Sequence, residues 1–327
     1  MITLGYALST EEHEPKKLIA HAQMAESAGF KFLLISDHFH PWMSQQGQSS
    51  FVWSVLGGIA QATQRVSVGT GVTCPIMRIH PTLVAQAAAT VADMMPGRFF
   101  LGLGTGEYLN EHILGYPWPR IETRQEMLAE AIHIIRELWK GEEYSHEGNY
   151  FMVRDARIYT LPEKIPPIYM AASGTESAEL AADLCDGLIS TSPGDEVVKA
   201  FKKKDRSGRP CFGSVKVCWA NSMEKAKEVM QQWWPISGIS GLLHVDLPTP
   251  KHFEDVVEAM GEPEIPEDSI LGPDPSSYLK AIKSLQENGY DHVYIHQVGP
   301  NQEGFLNFFE TELLPLLERE DVVTETA

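Results

Sequence analysis

The sequence predicts a (β/α)8 barrel. Three observations carry that expectation. Short apolar runs alternate with amphipathic helical patterns along the whole chain, in eight units. Most of the apolar runs lack polar alternation, as expected of strands covered on both faces. The length, 327 residues, suits an α/β barrel that folds as one unit. A doubly wound open sheet is the alternative. It fits less well because no GxGxxG follows the first strand, and "GLGTGE" at 102–107 is only GxGxGE.

"ITLGYAL" reads as the first strand. The helix "EPKKLIAHAQMAESAGF" sets Leu18, Ile19, Ala22 and Ala25 on one face and stops at Gly29. "KFLLISDHF" is the second strand, "FVWSVLGGIAQAT" a helix and "RVSVGTGV" the third strand. Pro81 opens the helix "PTLVAQAAATVADMM", which "PGR" ends. "RFFLGLGTG" is the fourth strand, followed by a long helix over about Ile121 to Trp139. "YSHEGNYFMVRDARIYT" reads as a hairpin turning at Glu147–Gly148–Asn149. "PPIYMAASG", "DGLISTS" and "CFGSVKVCWA" are the fifth, sixth and seventh barrel strands, with a helix through "TESAELAADLC". "SYLKAIKSLQENG" is a helix, "YDHVYIHQVG" the eighth strand and "EGFLNFFETELLPLLERE" a closing helix. Residues 234–275, rich in Pro and Gly, read as an insertion in a single domain spanning 1–327.

Composition narrows the function. At 43% hydrophobic and 21% charged, the chain is ordinary for a globular protein. Acids outnumber bases 44 to 26, for a formal charge of −18, which argues against nucleic acid and against anionic membrane surfaces. The four cysteines, Cys74, Cys185, Cys211 and Cys218, form no CxxC pair and no zinc spacing. With no signal-peptide pattern and no membrane-length apolar run, a cytoplasmic protein with free thiols is expected.

In a barrel, chemistry gathers at the C-terminal ends of the strands. Strand two ends in "SDHFHPW", strand three in "GTGVTCP", strand four in "GTGEYLNE", strand five in "AASGT", strand six in "STSPG" and strand eight in His296–Gln297. His38 titrates near neutral pH as a residue type, and Glu107 sits on a Gly-rich turn. The two are an acid–base pair, or else a structural histidine and a helix-capping acid. "ASGTES" is a helix N-terminus that holds phosphate through backbone N–H groups, or an ordinary N-cap at Ser173 or Thr175. Trp42 and Trp53 are expected as aromatic surface near the mouth. His13, His133, His146, His244 and His252 are expected in solvated or structural roles. Asp37, His38 and His40 alternate in direction, so no metal is expected.

"SDHFHPW", "GTGVTCP", "GRFFLGLG", "GLGTGEYLNE" and "PIYMAASG…DGLISTS" together resemble the luciferase-like flavin superfamily, and within it the branch dependent on coenzyme F420, a deazaflavin. The resemblance covers residues 1 to about 200 and resumes at about 276. It implies an oxidoreductase of a (β/α)8 fold with insertions, acting on a small-molecule substrate and assembled as a homodimer. It implies His38 as the group handling the substrate hydroxyl proton, Glu107 as a proton-exchanging carboxylate, Trp42 beside the reacting centre and Glu11 near the histidine. By the same resemblance Asp37, Gly71, Val72, Cys74, Thr105, Gly106 and Asn110 line the cofactor. Ser173, Gly174, Glu176 and Ser177 hold its phosphate, Thr191 faces the substrate, and a cis Gly71–Val72 bond backs the ring. FMN is the alternative cofactor, and a flavin-binding barrel without catalysis the non-enzymatic alternative. Sugar-phosphate members carry a lysine where this chain has Gly194. The insertion holds Lys251 among Asp246, Glu254, Asp255, Glu258, Glu262, Glu264, Glu267 and Asp268. A neutral alcohol or carbonyl compound is therefore expected in place of a sugar phosphate.

Overall fold

The computed structural model describes every residue except 191–193, 206, 240, 262–264, 266–268 and 324–327. The described residues form eleven strands: β1 (Thr3–Leu8), β2 (Phe32–Ile35), β3 (Ser67–Thr70), β4 (Phe99–Leu103), β5 (Tyr144–Glu147), β6 (Met152–Ala156), β7 (Ile168–Ala172), β8 (Gly187–Ser190), β9 (Cys211–Cys218), β10 (Ile270–Leu271) and β11 (His292–Gln297). β9, β11, β1, β2, β3, β4, β7 and β8 pair in that order, all in parallel, and β8 pairs back to β9. The ring is closed, which makes this a (β/α)8 barrel. β10 adds to β9, and β5–β6 form the separate antiparallel hairpin.

Local sequence explains the helical layer. Pro15, Pro81 and Pro275 each stand at a helix start, where the fixed φ suits the first turn and the missing N–H costs nothing. Asp274 caps the last of these by accepting from the Ser276 N–H. The long helix Ile121–Leu138 ties down the hairpin, because its Glu130 carboxylate accepts the N–H groups of Asn149 and Phe151. The closing helix is not continuous. Gln302–Phe308 runs into a π turn at Phe309–Leu313 before Leu314–Arg319. Pro315 sits in this last piece and has no N–H for a regular ladder.

Two apolar layers sandwich the barrel wall. Outward strand positions such as Leu33, Val68, Leu101 and Val293 meet the helices, while Phe32, Leu34, Phe100, Ile189 and Phe212 fill the interior with Tyr169 and Tyr294. These rings are large, so the wall opposite them must be bare. A Cβ on Gly69 would stand 2.0 Å from the Phe100 ring. Trp53, expected near the mouth, is instead 9% exposed in the outer layer, with its ring 6.4 Å from Phe99. Its helix, Val52–Ala62, turns this face to the wall, so the position is packing and not site. The segment after β9 forms the helix Pro250–Met260 and shorter turns that pack a second apolar cluster around Trp234, Ile236 and Phe253 over the mouth-side residue Trp42.

Candidate active site

Strand parity divides the barrel mouth into two unlike halves. Above the interior plug, the inward positions are Gly71 just past β3, Gly104 just past β4 and Ala171 in β7. A Cβ on Gly104 would lie 2.7 Å from Val72 and 3.5 Å from the Ala171 Cβ. The Gly71–Val72 peptide is cis, and Val72 packs against the interior cluster. This half is low and smooth. The inward positions just past β2 are Ser36 and His38, and those late in β11 and β9 are His296 and Lys216. This half is titratable.

His38 is 9% exposed and held at both ring nitrogens. Nδ1 lies 3.2 Å from the His40 carbonyl, which can only accept, so Nδ1 carries hydrogen there. Nε2 lies 3.3 Å from Glu11 Oε1. The other Glu11 oxygen accepts from Ser36 Oγ at 2.6 Å and Ser9 Oγ at 2.9 Å. Burial by itself would raise the Glu11 carboxyl, but the His38 charge and these hydroxyls hold it below its ordinary value. Trp42 lies against the His38 ring at 4.9 Å. The sequence-expected trio Glu11, His38 and Trp42 is thus one contact group.

Asp37 and Asn110 are brought to the mouth but spend their polar atoms on scaffolding. Asp37 accepts from Thr73 Oγ1 at 2.7 Å and from Arg78 at 2.8 Å, with its side chain fully covered. Arg78 also approaches Glu111 at 3.5 Å, and its backbone N–H donates to that carboxylate. Burial pushes Glu111 up to about 7 against the pull of Arg78. Asn110 Oδ1 accepts from the Phe39 and His40 N–H groups, and its Nδ2 lies 3.4 Å from Glu107 Oε2. Asn110 therefore fixes the Glu107 carboxylate relative to the loop that carries His38. Glu107 is half-buried at the start of the short helix Tyr108–Glu111, whose N–H groups its side chain does not cap. Thr105 and Gly106 form the turn before it; their carbonyls accept from Arg124. Cys74 is buried against Gly106, and burial raises its thiol well above its ordinary value, so it is an inert neighbour.

Ser173, Gly174 and Glu176 are exposed at the start of the helix Thr175–Leu184, beside half-buried Ser177. Ser177 Oγ closes back on Gly174, and no side chain caps the first-turn N–H groups of this helix. Thr191 lies outside the described residues, as do Glu262, Glu264, Glu267 and Asp268. Among the described residues no group of three or more His, Cys, Asp or Glu side chains could hold a metal ion.

Sequence reasoning missed a second constellation. Glu12, next to Glu11, points the other way: its Oε2 lies 3.2 Å from His296 Nε2, and its Oε1 accepts the Gly299 N–H at 2.8 Å. Trp234 meets the His296 ring edge-on at 4.7 Å, and Lys216 Nζ lies 4.9 Å from the Trp234 ring centre. His244, expected in a solvated or structural role, packs on Trp42 at 5.7 Å. Parity was the available signal, since Phe212, Ser214 and Lys216 share the inward face of β9.

The luciferase-like monooxygenase family profile matches residues 1–303. The chain is 34% identical over 330 residues to an F420-dependent glucose-6-phosphate dehydrogenase of Microbacterium testaceum, covering 97% of this chain and 98% of that protein. It is 33% identical over 332 residues to the Mycobacterium avium protein of that description, at the same coverage, 97% and 98%. Among solved structures, an F420-dependent secondary alcohol dehydrogenase in complex with an F420–acetone adduct superposes with a TM-score of 0.88 at 29% identity, covering 96% of this chain and 99% of that one. By this match along nearly its whole length, the chain belongs to the luciferase-like monooxygenase family.

Proposed function

We propose that this chain is a coenzyme F420-dependent oxidoreductase that acts on a carbon–hydroxyl or carbonyl substrate carrying no phosphate ester. The observation that carries the reading is the buried Glu11–His38 pair, 3.3 Å apart, across the mouth from a smooth wall of Gly71, Gly104 and Ala171. The residues fit a flat ring with an anionic tail. The smooth half leaves room for the ring, and the uncapped first turn of Thr175–Leu184 supplies N–H donors for a phosphate without a basic side chain. The names of the relatives, F420-dependent dehydrogenases of sugar phosphate and of secondary alcohols, support the same cofactor.

The deazaflavin, when bound, supplies the two-electron hydride acceptor. The chain supplies position and proton handling. His38, in its neutral form with hydrogen on Nδ1, takes the substrate hydroxyl proton at Nε2, and Glu11 stabilises the imidazolium that results. Trp42 packs on the His38 ring, 4.9 Å away. Glu107, placed by Asn110, is the carboxylate this reading assigns to proton exchange.

The substrate restriction rests on where the cations are committed. Arg78 serves Asp37 and Glu111, and Arg124 serves the Thr105 and Gly106 carbonyls. Lys251 pairs with Asp255 at 2.8 Å on its own helix, Gly194 offers no charge, and Lys216 on β9 brings a single cation, packed on Trp234. A phosphate dianion would want several charge-assisted donors. The test is calorimetric titration with F420 and with FMN, followed by parallel assays with glucose 6-phosphate and 2-propanol. F420 is expected to bind more tightly, and glucose 6-phosphate to be the poorer substrate. Tighter FMN binding overturns the cofactor; efficient glucose 6-phosphate turnover with 2-propanol inert overturns the substrate restriction.

A further inference from the structure

Sheet order runs β2, β3, β4, so the loop leaving β3 lies between the loop that carries His38 and the one that carries Glu107. That middle loop grips both neighbours. On one side Thr73 Oγ1 donates to the Asp37 carboxylate at 2.7 Å, and Arg78 Nη2 donates to it at 2.8 Å and to the Asp37 carbonyl at 3.2 Å. On the other side the Arg78 backbone N–H donates to Glu111 Oε2 at 2.7 Å, and Arg78 Nε stands 3.5 Å from Glu111 Oε1. Asp37 is the residue before His38, and Glu111 lies one helical turn on from Glu107.

Stability does not account for this set. The side chains of Arg78, Asp37 and Glu111 are 7%, 0% and 1% exposed. Taking charges out of water is costly, and apolar side chains of the same volume often hold a core as well or better. The pairing is also unfinished. Arg78 Nε and Glu111 Oε1 are buried and make no hydrogen bond among the described residues. One cation serves two acids, and burial pushes the second, Glu111, up to about 7. What the geometry does supply is a fixed span. The guanidinium is planar and rigid, and with the backbone N–H of the same residue it reaches from Asp37 to Glu111. Asn110 makes a second link between the same two outer loops, from the Phe39 and His40 N–H groups to Glu107. One link leaves a pivot; two links at different residues fix the orientation.

We infer that Arg78 and Glu111 are positioning residues for the reaction: they fix the separation of His38 and Glu107, Arg78 through its side chain on Asp37 and through its backbone hydrogen bond to Glu111. This rests on the oxidoreductase reading and deepens it. Glu111 works as a hydrogen-bond acceptor for the loop after β3, a task that a neutral carboxyl or an amide oxygen also performs. Arg78 works by reach as well as by charge. A lysine ammonium is a single point and cannot stand at both ends of the span.

The test measures F420 reduction with 2-propanol, and in parallel with glucose 6-phosphate, in the wild type and in Arg78→Lys, Glu111→Leu and Glu111→Gln. Misplacing a reacting group by about 1 Å costs on the order of 100-fold, so kcat on the compound the wild type turns over should fall roughly 10- to 100-fold in Arg78→Lys and in Glu111→Leu. KM should hold, and so should F420 affinity, read by fluorescence titration without substrate. Glu111→Gln, which keeps the acceptor, should recover most of the kcat lost in Glu111→Leu. Arg78→Lys keeps a cation for Asp37, and the Glu111 variants leave the Arg78–Asp37 pair whole, so the test stands if one variant fails to fold. Wild-type kcat in folded Arg78→Lys or Glu111→Leu, with only the urea midpoint lowered, overturns this inference and leaves the oxidoreductase reading intact. A loss confined to F420 affinity also overturns it, as does a Glu111→Gln enzyme no better than Glu111→Leu. Failure of the wild type to reduce F420 with either compound overturns both.

Discussion

Replacing Glu11 by Gln removes one charge from the proton-handling pair while keeping the size of the side chain. The Glu11 and His38 side chains are 3% and 10% exposed, and their nearest atoms are 3.3 Å apart. Unit charges at that separation interact by about 5 kcal/mol at an effective dielectric of about 20. Most of that is offset by desolvation and relaxation, and the net worth of a charge-assisted contact is about 1.5–3 kcal/mol. If the contact matters when His38 holds the substrate proton, kcat falls about 10- to 150-fold, at about 1.4 kcal/mol per tenfold. Glu11 touches none of the smooth half of the mouth, so coenzyme affinity should hold. The assay follows loss of the coenzyme's visible absorbance at saturating substrate, with coenzyme affinity measured separately by fluorescence. Glu11→Asp, which restores the charge, should recover part of the loss. A Glu11→Gln enzyme with wild-type kcat, or one whose whole defect lies in coenzyme affinity, would refute the reasoning and leave Glu11 as a hydroxyl acceptor for Ser9 and Ser36.

Replacing His38 by Ala should lower kcat roughly 100- to 10,000-fold, the range of a positioned general base, with coenzyme binding retained; lost binding with normal kcat would make His38 structural. Acid stability has a separate origin in the His13–His21 pair, whose rings meet edge-on at 4.9 Å. Burial, then the neighbouring charges of His13 and Lys17, lower His21 from 6.5 to about 4. The folded state therefore binds this proton less well than the unfolded one, so the stabilisation is present above pH 6.5 and is lost as pH falls toward about 4. Urea midpoints should show the wild type losing ground to His21→Gln across that window, and a constant difference would contradict the assignment.

The barrel was legible because its strands are short, apolar on both faces and separated by helices with clear stops. The closing helix read as continuous because periodicity does not register a π turn, although Pro315 was visible in it. At the site, "SDHFHPW" disclosed His38 and Trp42, since a histidine and an indole just past a buried strand have few packing reasons to be there. Trp53 misled for the opposite reason: a helix can turn an indole to the core, and only the packing decides. Lys216 and Glu12 went unread because their partners come from distant strands. No local pattern links residue 12 to residue 296, and the pair exists only because the barrel closes β11 against β1.

That closure has a consequence for redesign. Glu11 and Glu12 are consecutive, yet one serves the histidine beyond β2 and the other the histidine on β11. The loop leaving β1 is therefore a shared rail: inserting or deleting one residue there misaligns both histidines together. Redesign of the mouth therefore keeps the length of this loop fixed.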